Sequence, residues 1–467
     1  CKKGFQKMND HTHNSPYKIA IIGAGPSGFY VVDSLLKLNI PLEIFMFEKL
    51  PTPYGLLRGG VAPDHFKMKN LESYFEKIAF KSQSFHFIGN CEIGKDIEIS
   101  TIRSYVDATF ITTGANFSRN LNIPGENLKN SHTAASFVAW YNGHPDFVNE
   151  SFDLSGHSAV IIGQGNVALD IARILAKTPE ELSNSEIPEP ILNQLKKSKI
   201  KTIHIVGRRG PAQSKFTPNE FNEFSELKNA KVIVNPTDLT IEKNVIEYLT
   251  NSNNKKNLKN IELLKKCSLT SNEEIPPQTK TINIHFHLSP LEFNGPEDIS
   301  SIEFSVNKMT GPANDRRAVL TSKKETIPTD IVFRSIGYLG SKIESIPFDD
   351  KKGIIPNVLG RVINNQGEIE KGMYVAGWIK RGPSGVIGSN KRCASESVTA
   401  FSEDINKLEG PKNIGLKAFI NSTIKQKVSF NDWKKLDSHE KLEGSKKGKP
   451  REKFISVQNM LKFLEII

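Results

Sequence analysis

Residues 161–175 read "IIGQGNVALDIARIL". An apolar run leads into a glycine turn, and the turn opens an amphipathic helix. Residues 19–36, "IAIIGAGPSGFYVVDSLL", repeat the plan. A strand, a tight glycine turn and a helix in that order cradle a dinucleotide pyrophosphate. Two such openings predict an α/β fold with two Rossmann-like dinucleotide-binding domains. They also raise the question of what each one holds.

In the first opening, Gly23, Gly25 and Gly28 form G-x-G-x-x-G between a strand over 17–22 and a helix over 26–37. The first glycine allows the tight turn. The second lets the backbone approach a pyrophosphate, and the third lets helix and strand pack closely. Free N–H groups at the helix start favour the anion. The next strand, 42–47, ends at Glu48, where a carboxylate accepts hydrogen bonds from adenosine ribose hydroxyls.

In the second opening, Gly163, Gly165 and Ala168 form G-x-G-x-x-A. The strand that follows, 203–206, runs into "GRRG". Arg208 and Arg209 stand where an acid would bind a free 2′-hydroxyl. An acid repels a 2′-phosphate, whereas paired guanidinium groups clasp one. Surface ion pairing is the plainer role for the two arginines. The arginines predict NADPH, rather than NADH, at the second site; since one dinucleotide carries a hydride and the other accepts it, a flavin dinucleotide is expected to stay bound at the first.

The remaining chain fits an insertion. Helix is expected over 71–79 and strand over 108–112. Pro124–Gly125 marks a crossing, and buried strands resume in "TDIVFRSIGY" (329–338) and "GMYVAGW" (372–378), with a helix over 391–406. The NADP-binding domain is thus expected at 118–335, inserted into an FAD-binding domain at 16–117 and 336–467. "TPEELSNSEIPEPILNQLKKSK" reads as a partly helical surface interruption. Residues 235–278 are polar and Lys/Asn-rich and read as a loop-rich excursion. "INIHFHLSP" and "IEFSVNKMT" alternate polar with apolar, as antiparallel strands do.

At 467 residues the chain exceeds what one hydrophobic core supports. No apolar run reaches the ~18 residues of a membrane span. The net charge of +11 favours an acidic partner and allows peripheral contact with an anionic membrane. No nucleic-acid-binding motif accompanies it. The four cysteines, Cys1, Cys91, Cys267 and Cys393, form no C-x-x-C pair. That spacing argues against a redox disulfide, a zinc site or an iron–sulfur cluster on this chain. The first residue is Cys1, and "CKKGFQKMNDHTHNS" reads as the end of a removed targeting segment or as a frayed terminus.

Candidate chemistry gathers in three loops. In "GWIKRGPSGVIGSN" (377–390), Gly385, Val386 and Ile387 would aim N–H groups at the pyrimidine side of a flavin. Trp378 would stack over the ring or close the site, with core packing as its plainer role. His65 in "VAPDHF" and Glu220 in "FTPNEF" are placed to manage protons near the ring.

In order along the chain stand "GAGPSGFY", "EKLPTPYGLLRGGVAPDH", "NIPGE", "WYNG", "GQGNVALDIARIL", "IVGRRGPAQSKFT", "RSIGY", "IPFDD", "GWIKRGPSGVIG" and "VSFNDWKKLD" with "GKPREK". Together they resemble the adrenodoxin reductase family, the mitochondrial-type NADPH:ferredoxin reductases, over nearly the whole chain. The resemblance implies FAD and NADPH as cofactors, a small acidic [2Fe–2S] ferredoxin as electron acceptor and a mitochondrial matrix location. It puts FAD contacts on Ser27, Glu48, Leu56, Ile93, Trp378 and the run from Gly385 through Val386 to Ile387. It puts NADP contacts on Gln164, Gly165, Asn166, Val167, Arg208, Arg209, Glu220 and Gly385, and sets His65 and Glu220 beside the flavin. A basic face would steer the ferredoxin.

Two departures stand out. "LRGG" (57–60) replaces the family's common "VRFG", which is expected to loosen a loop near the flavin. The run after "FT" carries no basic residue before Lys228, where animal members use basic residues for docking. Lys37, Lys380, Arg381 and the Lys-rich tail are the substitutes. The competing readings are a related NADPH-dependent flavoprotein with a quinone or small oxidant as acceptor, and a non-enzymatic flavin-bearing interaction protein.

Overall fold

The computed structural model describes residues 15–269, 274–385, 387–408, 412 and 415–467. Most of the basic N-terminal stretch, and Val386, lie outside the described residues.

Two sheets form, each centred on short apolar strands buried on both faces, such as Tyr17–Ile22 and Ser158–Ile162. The first has seven strands in the order Asn357–Val358, Arg361–Ile363, Ile369–Val375, Ala108–Ile111, Tyr17–Ile22, Leu42–Phe47 and Phe85–Ile88. The last five are mutually parallel. The second has six strands, Ser131–Thr133, Ile331–Arg334, Ser158–Ile162, Thr202–Val206, Lys280–His285 and Ala230–Val234, all parallel. The second sheet is thus built from chain that interrupts the first. Where the chain leaves and returns, Phe117–Ser118 pairs with Tyr338–Leu339 as a two-stranded antiparallel ribbon.

The helices that follow the glycine turns, Pro26–Leu35 and Asn166–Ala176, lie almost wholly in the two largest apolar clusters. The long helix Phe430–Lys446 packs on the first unit, burying Trp433 and Leu436.

Three expectations need correction. Residues 235–278 are not mainly loop: helices Lys243–Asn251 and Lys255–Leu269 occupy most of them. Their polar composition hid a sparse apolar stripe, in which Val245, Leu249, Ile261 and Leu264 are buried. "INIHFHLSP" is not one antiparallel strand. Its first part is the parallel strand Lys280–His285, and its end begins Leu288–Asn294, which pairs antiparallel with Ser301–Thr310. Alternation reports a two-residue period, not the partner. The "LRGG" segment is not loosened. Leu56–Gly59 is a helical turn with Leu57 fully buried, and Arg58 donates two hydrogen bonds, of 2.8 and 2.5 Å, to Glu440.

Candidate active site

The two turns are built alike. Gly23 N–H donates to Phe47 O and Gly163 N–H to Val206 O, each at 2.8 Å. Both glycines have positive φ, 104° and 129°, and a side chain on either would strike a backbone carbonyl, that of Thr112 or of Ser335. A Cβ on Gly28 would overlap the Gly23 carbonyl, whereas position 168 accommodates an alanine that is fully buried.

A cavity of about 290 Å³ opens above the first turn. Gly23, Gly25, Ser27, Glu48, Leu56, His65, Trp378, Gly385 and Ile387 line it. The second unit closes it with Asn166, Val167, Asp170 and Glu220. Glu48 accepts hydrogen bonds from Ala24 N–H (2.9 Å) and Leu50 N–H (3.3 Å). Burial raises its pKa despite them. Trp378 lies 6.0 Å, centroid to centroid, from Tyr338, and its indole Nε1 is buried without a hydrogen-bond partner among the described residues.

Where the two units meet at this cavity, ionisable groups converge. His65 Nε2 is 2.8 Å from Glu223 Oε2 and 3.5 Å from both Asp170 and Glu220. Arg173 donates to Glu223 (2.6 Å), Asp170 (2.8 Å) and Asp64 (3.0 Å). Burial alone would depress His65, but the hydrogen bond to Glu223 and the charge of Asp170 outweigh it and raise its pKa. Burial pushes Asp170 up to about 7 against the pull of Arg173 and His65. Burial also raises Glu220, with His65 opposing. His65, Asp170 and Glu220 are close enough to suggest a metal site. The Arg173 guanidinium, in contact with His65 and Asp170, already supplies the positive charge there. The cluster is built to hold protons near neutrality.

The second turn is more open. Gly163, Gln164, Gly165, Arg208 and Arg209 lie outside the cavity wall. Gln164 Nε2 donates to His285 O (2.7 Å), and Asn166 Oδ1 accepts from Thr217 N–H (2.9 Å). Arg208 is exposed and Arg209 half-buried. Neither guanidinium has a hydrogen bond or salt bridge among the described residues. Burial, then the charge of Arg208, lowers the pKa of Arg209. The charge of Asp315 opposes that shift, but no carboxylate bonds either guanidinium among the described residues, and two adjacent cations of this kind invite an anion.

Some expected residues fall elsewhere. Ile93 packs in an apolar cluster with Ile97, Phe47 and Ile379, away from the cavity wall. Lys380 is buried and bonded to Glu396 (2.6 Å) and Ser397 (3.0 Å), so it is no docking cation. Arg381 is spent on Ser389 and Asn390. In the tail, Lys449, Arg451 and Lys453 are buried. Asp170, Arg173, Glu223 and Asp64 went unread in the sequence. The available signal was "LDIAR", which sets an acid and a base three residues apart in an otherwise apolar helix.

No family model matches the chain. It is 36% identical to the mitochondrial NADPH:adrenodoxin oxidoreductase of Arabidopsis thaliana over 461 residues, 96% of this chain and 95% of that protein. It is 37% identical to the NADPH-ferredoxin reductase FprA of Mycobacterium tuberculosis over 465 residues, 96% of this chain and 99% of that protein. A structure of Mycobacterium tuberculosis FprA in complex with NADPH matches with a TM-score of 0.90 and 36% identity, covering 97% of this chain and all of that one. With sequence and fold agreeing end to end, the chain belongs to the adrenodoxin reductase family.

Proposed function

We propose that the chain is a FAD-containing NADPH:ferredoxin reductase, taking a hydride from NADPH and passing electrons singly to an adrenodoxin-type [2Fe–2S] ferredoxin. The observation that carries this reading is the pair of glycine turns, one followed by a half-buried acid and the other by two arginines without a hydrogen bond or salt bridge among the described residues, with a proton-holding cluster between them. Relatives named for NADPH and for ferredoxin or adrenodoxin support it. We assign 16–117 and 336–467 to FAD and 118–335 to NADPH; the ribbon joining 117–118 to 338–339 lies at both crossings.

The residues present fit both groups. The first turn, packed too closely for a side chain at Gly23 or Gly28, presents Gly25 and Ser27 to the cavity, and Trp378 leaves a buried donor unpaired beside it. Ser27, Glu48, Leu56, Trp378, Gly385 and Ile387 would hold FAD. Gln164, Gly165, Asn166, Val167, Arg208, Arg209 and Glu220 would hold NADPH. Bound FAD supplies the conversion of a two-electron donor's hydride into single electrons. The chain's own part is to orient, exclude water and manage charge. Glu48 would fix the ribose, and Arg208 with Arg209 the 2′-phosphate. His65 and Glu220, whose carboxylate Oε2 lacks a hydrogen-bond partner among the described residues, would hold or release a proton at the cavity wall. An acidic ferredoxin matches the +11 charge. A matrix location draws support from the mitochondrial members of the family, and organelle fractionation tests it.

Anaerobic titration with NADPH, and with NADH in parallel, is the test. Flavin bleaching at low NADPH but not at low NADH is expected. Reduction of a [2Fe–2S] ferredoxin faster than of a quinone is expected next; the reverse order would move the acceptor to a small oxidant. A yellow protein indifferent to NADPH would overturn the reading.

A further inference from the structure

The arginine pair sits on a turn whose backbone is held from behind by a separate element. Leu288–Asn294, Ser301–Thr310 and Arg317–Pro328 form a three-stranded antiparallel sheet packed against the second unit. It reaches the carbonyls of three consecutive residues in the turn. Leu288 N–H donates to Gly207 O (3.1 Å), His287 N–H to Arg209 O (3.3 Å), and the Asn307 side-chain Nδ2 to Arg208 O (2.8 Å). Asn307 also ties the group together: its N–H donates to His287 O (2.6 Å) and its Nδ2 to Ser289 Oγ (2.8 Å). The residue is buried, and it sits at a register shift between Ser305 and Asn307. Its Oδ1 has no partner among the described residues, so the amide serves as a donor. His287 is held at φ 60°, unusual for a residue with a side chain.

The result is a turn with fixed main chain and free guanidinium groups. We infer that Asn307 is a positioning residue for coenzyme choice: it orients the Arg208–Arg209 turn toward a 2′-phosphate and so sets the preference for NADPH over NADH. This rests on the reading of Arg208 and Arg209 as the 2′-phosphate clasp. A ligand without that phosphate makes no use of the clasp, so the effect belongs to the ratio between coenzymes rather than to turnover as such.

The test is a double-mutant cycle on the flavin-loaded enzyme, scored as the ratio of kcat/KM for NADPH to that for NADH. Asn307→Ala is expected to lower the ratio roughly tenfold, with most of the change in KM for NADPH, as one charge-assisted contact is misplaced. In an Arg208→Ala/Arg209→Ala background the same substitution is expected to leave the ratio where the arginine variant put it. An unchanged ratio in the wild-type background, or an equal fall in both backgrounds, overturns the inference. If the arginine variant itself keeps the wild-type ratio, the clasp reading fails and Asn307 falls with it. Should Asn307→Ala not retain flavin, Ser289→Ala removes one of its two Nδ2 acceptors, and a fall of about threefold in the ratio is expected. No fall there overturns the inference equally.

Discussion

The turns at Gly23 and Gly163 share a hydrogen bond of the same length, from the glycine N–H to the end of the neighbouring strand, yet they are not interchangeable. The first lines a cavity that residues of both units share and ends its second strand in Glu48, whose pKa burial raises. The second is more exposed and ends its second strand in two arginines with no hydrogen bond or salt bridge among the described residues. Turn geometry says that a dinucleotide binds. On the proposed reading, the cavity holds the ligand that stays, and the charge beyond the strand selects the phosphates of the one that exchanges.

The sharpest way to break that comparison is to swap the third position of each turn. A Cβ on Gly28 has no room beside the Gly23 carbonyl, and Thr112 Oγ1 lies 3.1 Å from where it would go. Gly28→Ala is expected to abolish flavin retention, read as flavin absorbance per protein. Ala168→Gly is expected to cost about 1 kcal/mol of helix stability and to leave NADPH kinetics within about threefold. Equal outcomes would mean the turns are packed alike after all. Next in size is the charge. Removing both arginines is expected to lower kcat/KM for NADPH roughly 100-fold, the value of charge-assisted hydrogen bonds to a phosphate, and to narrow the gap to NADH. Glu48→Gln is expected to weaken FAD about tenfold without touching that gap.

Both turns were legible because their information is local: glycine spacing, strand, helix, and the charge at the end of the next strand, Glu48 twenty residues after Gly28 and Arg208 forty residues after Ala168. The proton-holding cluster was only half legible. His65 and Glu220 stand in stretches marked by proline, and Glu220 proves to lie in the short helix Pro218–Asn222, but Asp170 and Arg173 lie inside an apolar helix, and only docking of the two units brings them to His65. The helices at 243–251 and 255–269 were hidden because few apolar residues suffice when a helix packs on one narrow stripe. Asn307 was invisible for a stronger reason. Its partners lie on residues 208, 287 and 289, and no pattern along the strand announces contacts at such separations.

The junction between the units carries the next contrast, now in pH. Asp170 titrates at about 7 in the fold instead of the ordinary carboxylate range. The native state therefore keeps a proton that the unfolded chain has lost. That contribution is complete below the unfolded pKa and disappears as pH rises through about 7. His65 is raised as well, so its contribution is likewise present below its unfolded pKa and lost as pH rises through the folded value. Asp170→Asn keeps a polar group but abolishes one titration. Between about pH 5 and pH 8 the wild type is expected to lose on the order of 2–3 kcal/mol more than the variant, measured by urea unfolding. Parallel curves would remove Asp170 from the proton-holding group.

The smallest expected effect concerns the rim of the same junction. Lys49, next to Glu48, reaches Asp146 across the cleft at 2.6 Å, with side chains 37% and 47% exposed. Burial would raise Asp146, but the Lys49 hydrogen bond and charge prevail and lower it. Geometry this close resembles the Arg173–Asp64 pair at 3.0 Å, whose side chains are only 3% and 6% exposed. Exposure separates them: water and salt screen the rim pair, whereas the inner pair has no other solvent. Lys49→Ala is expected to cost under about 1 kcal/mol, and the cost should vanish at high salt. A larger loss that survives salt would mean that the rim, as well as the buried cluster, fixes the opening between the two turns. Coenzyme exchange at the second site would then depend on Lys49, and the contrast between an enclosed first site and an open second one would narrow.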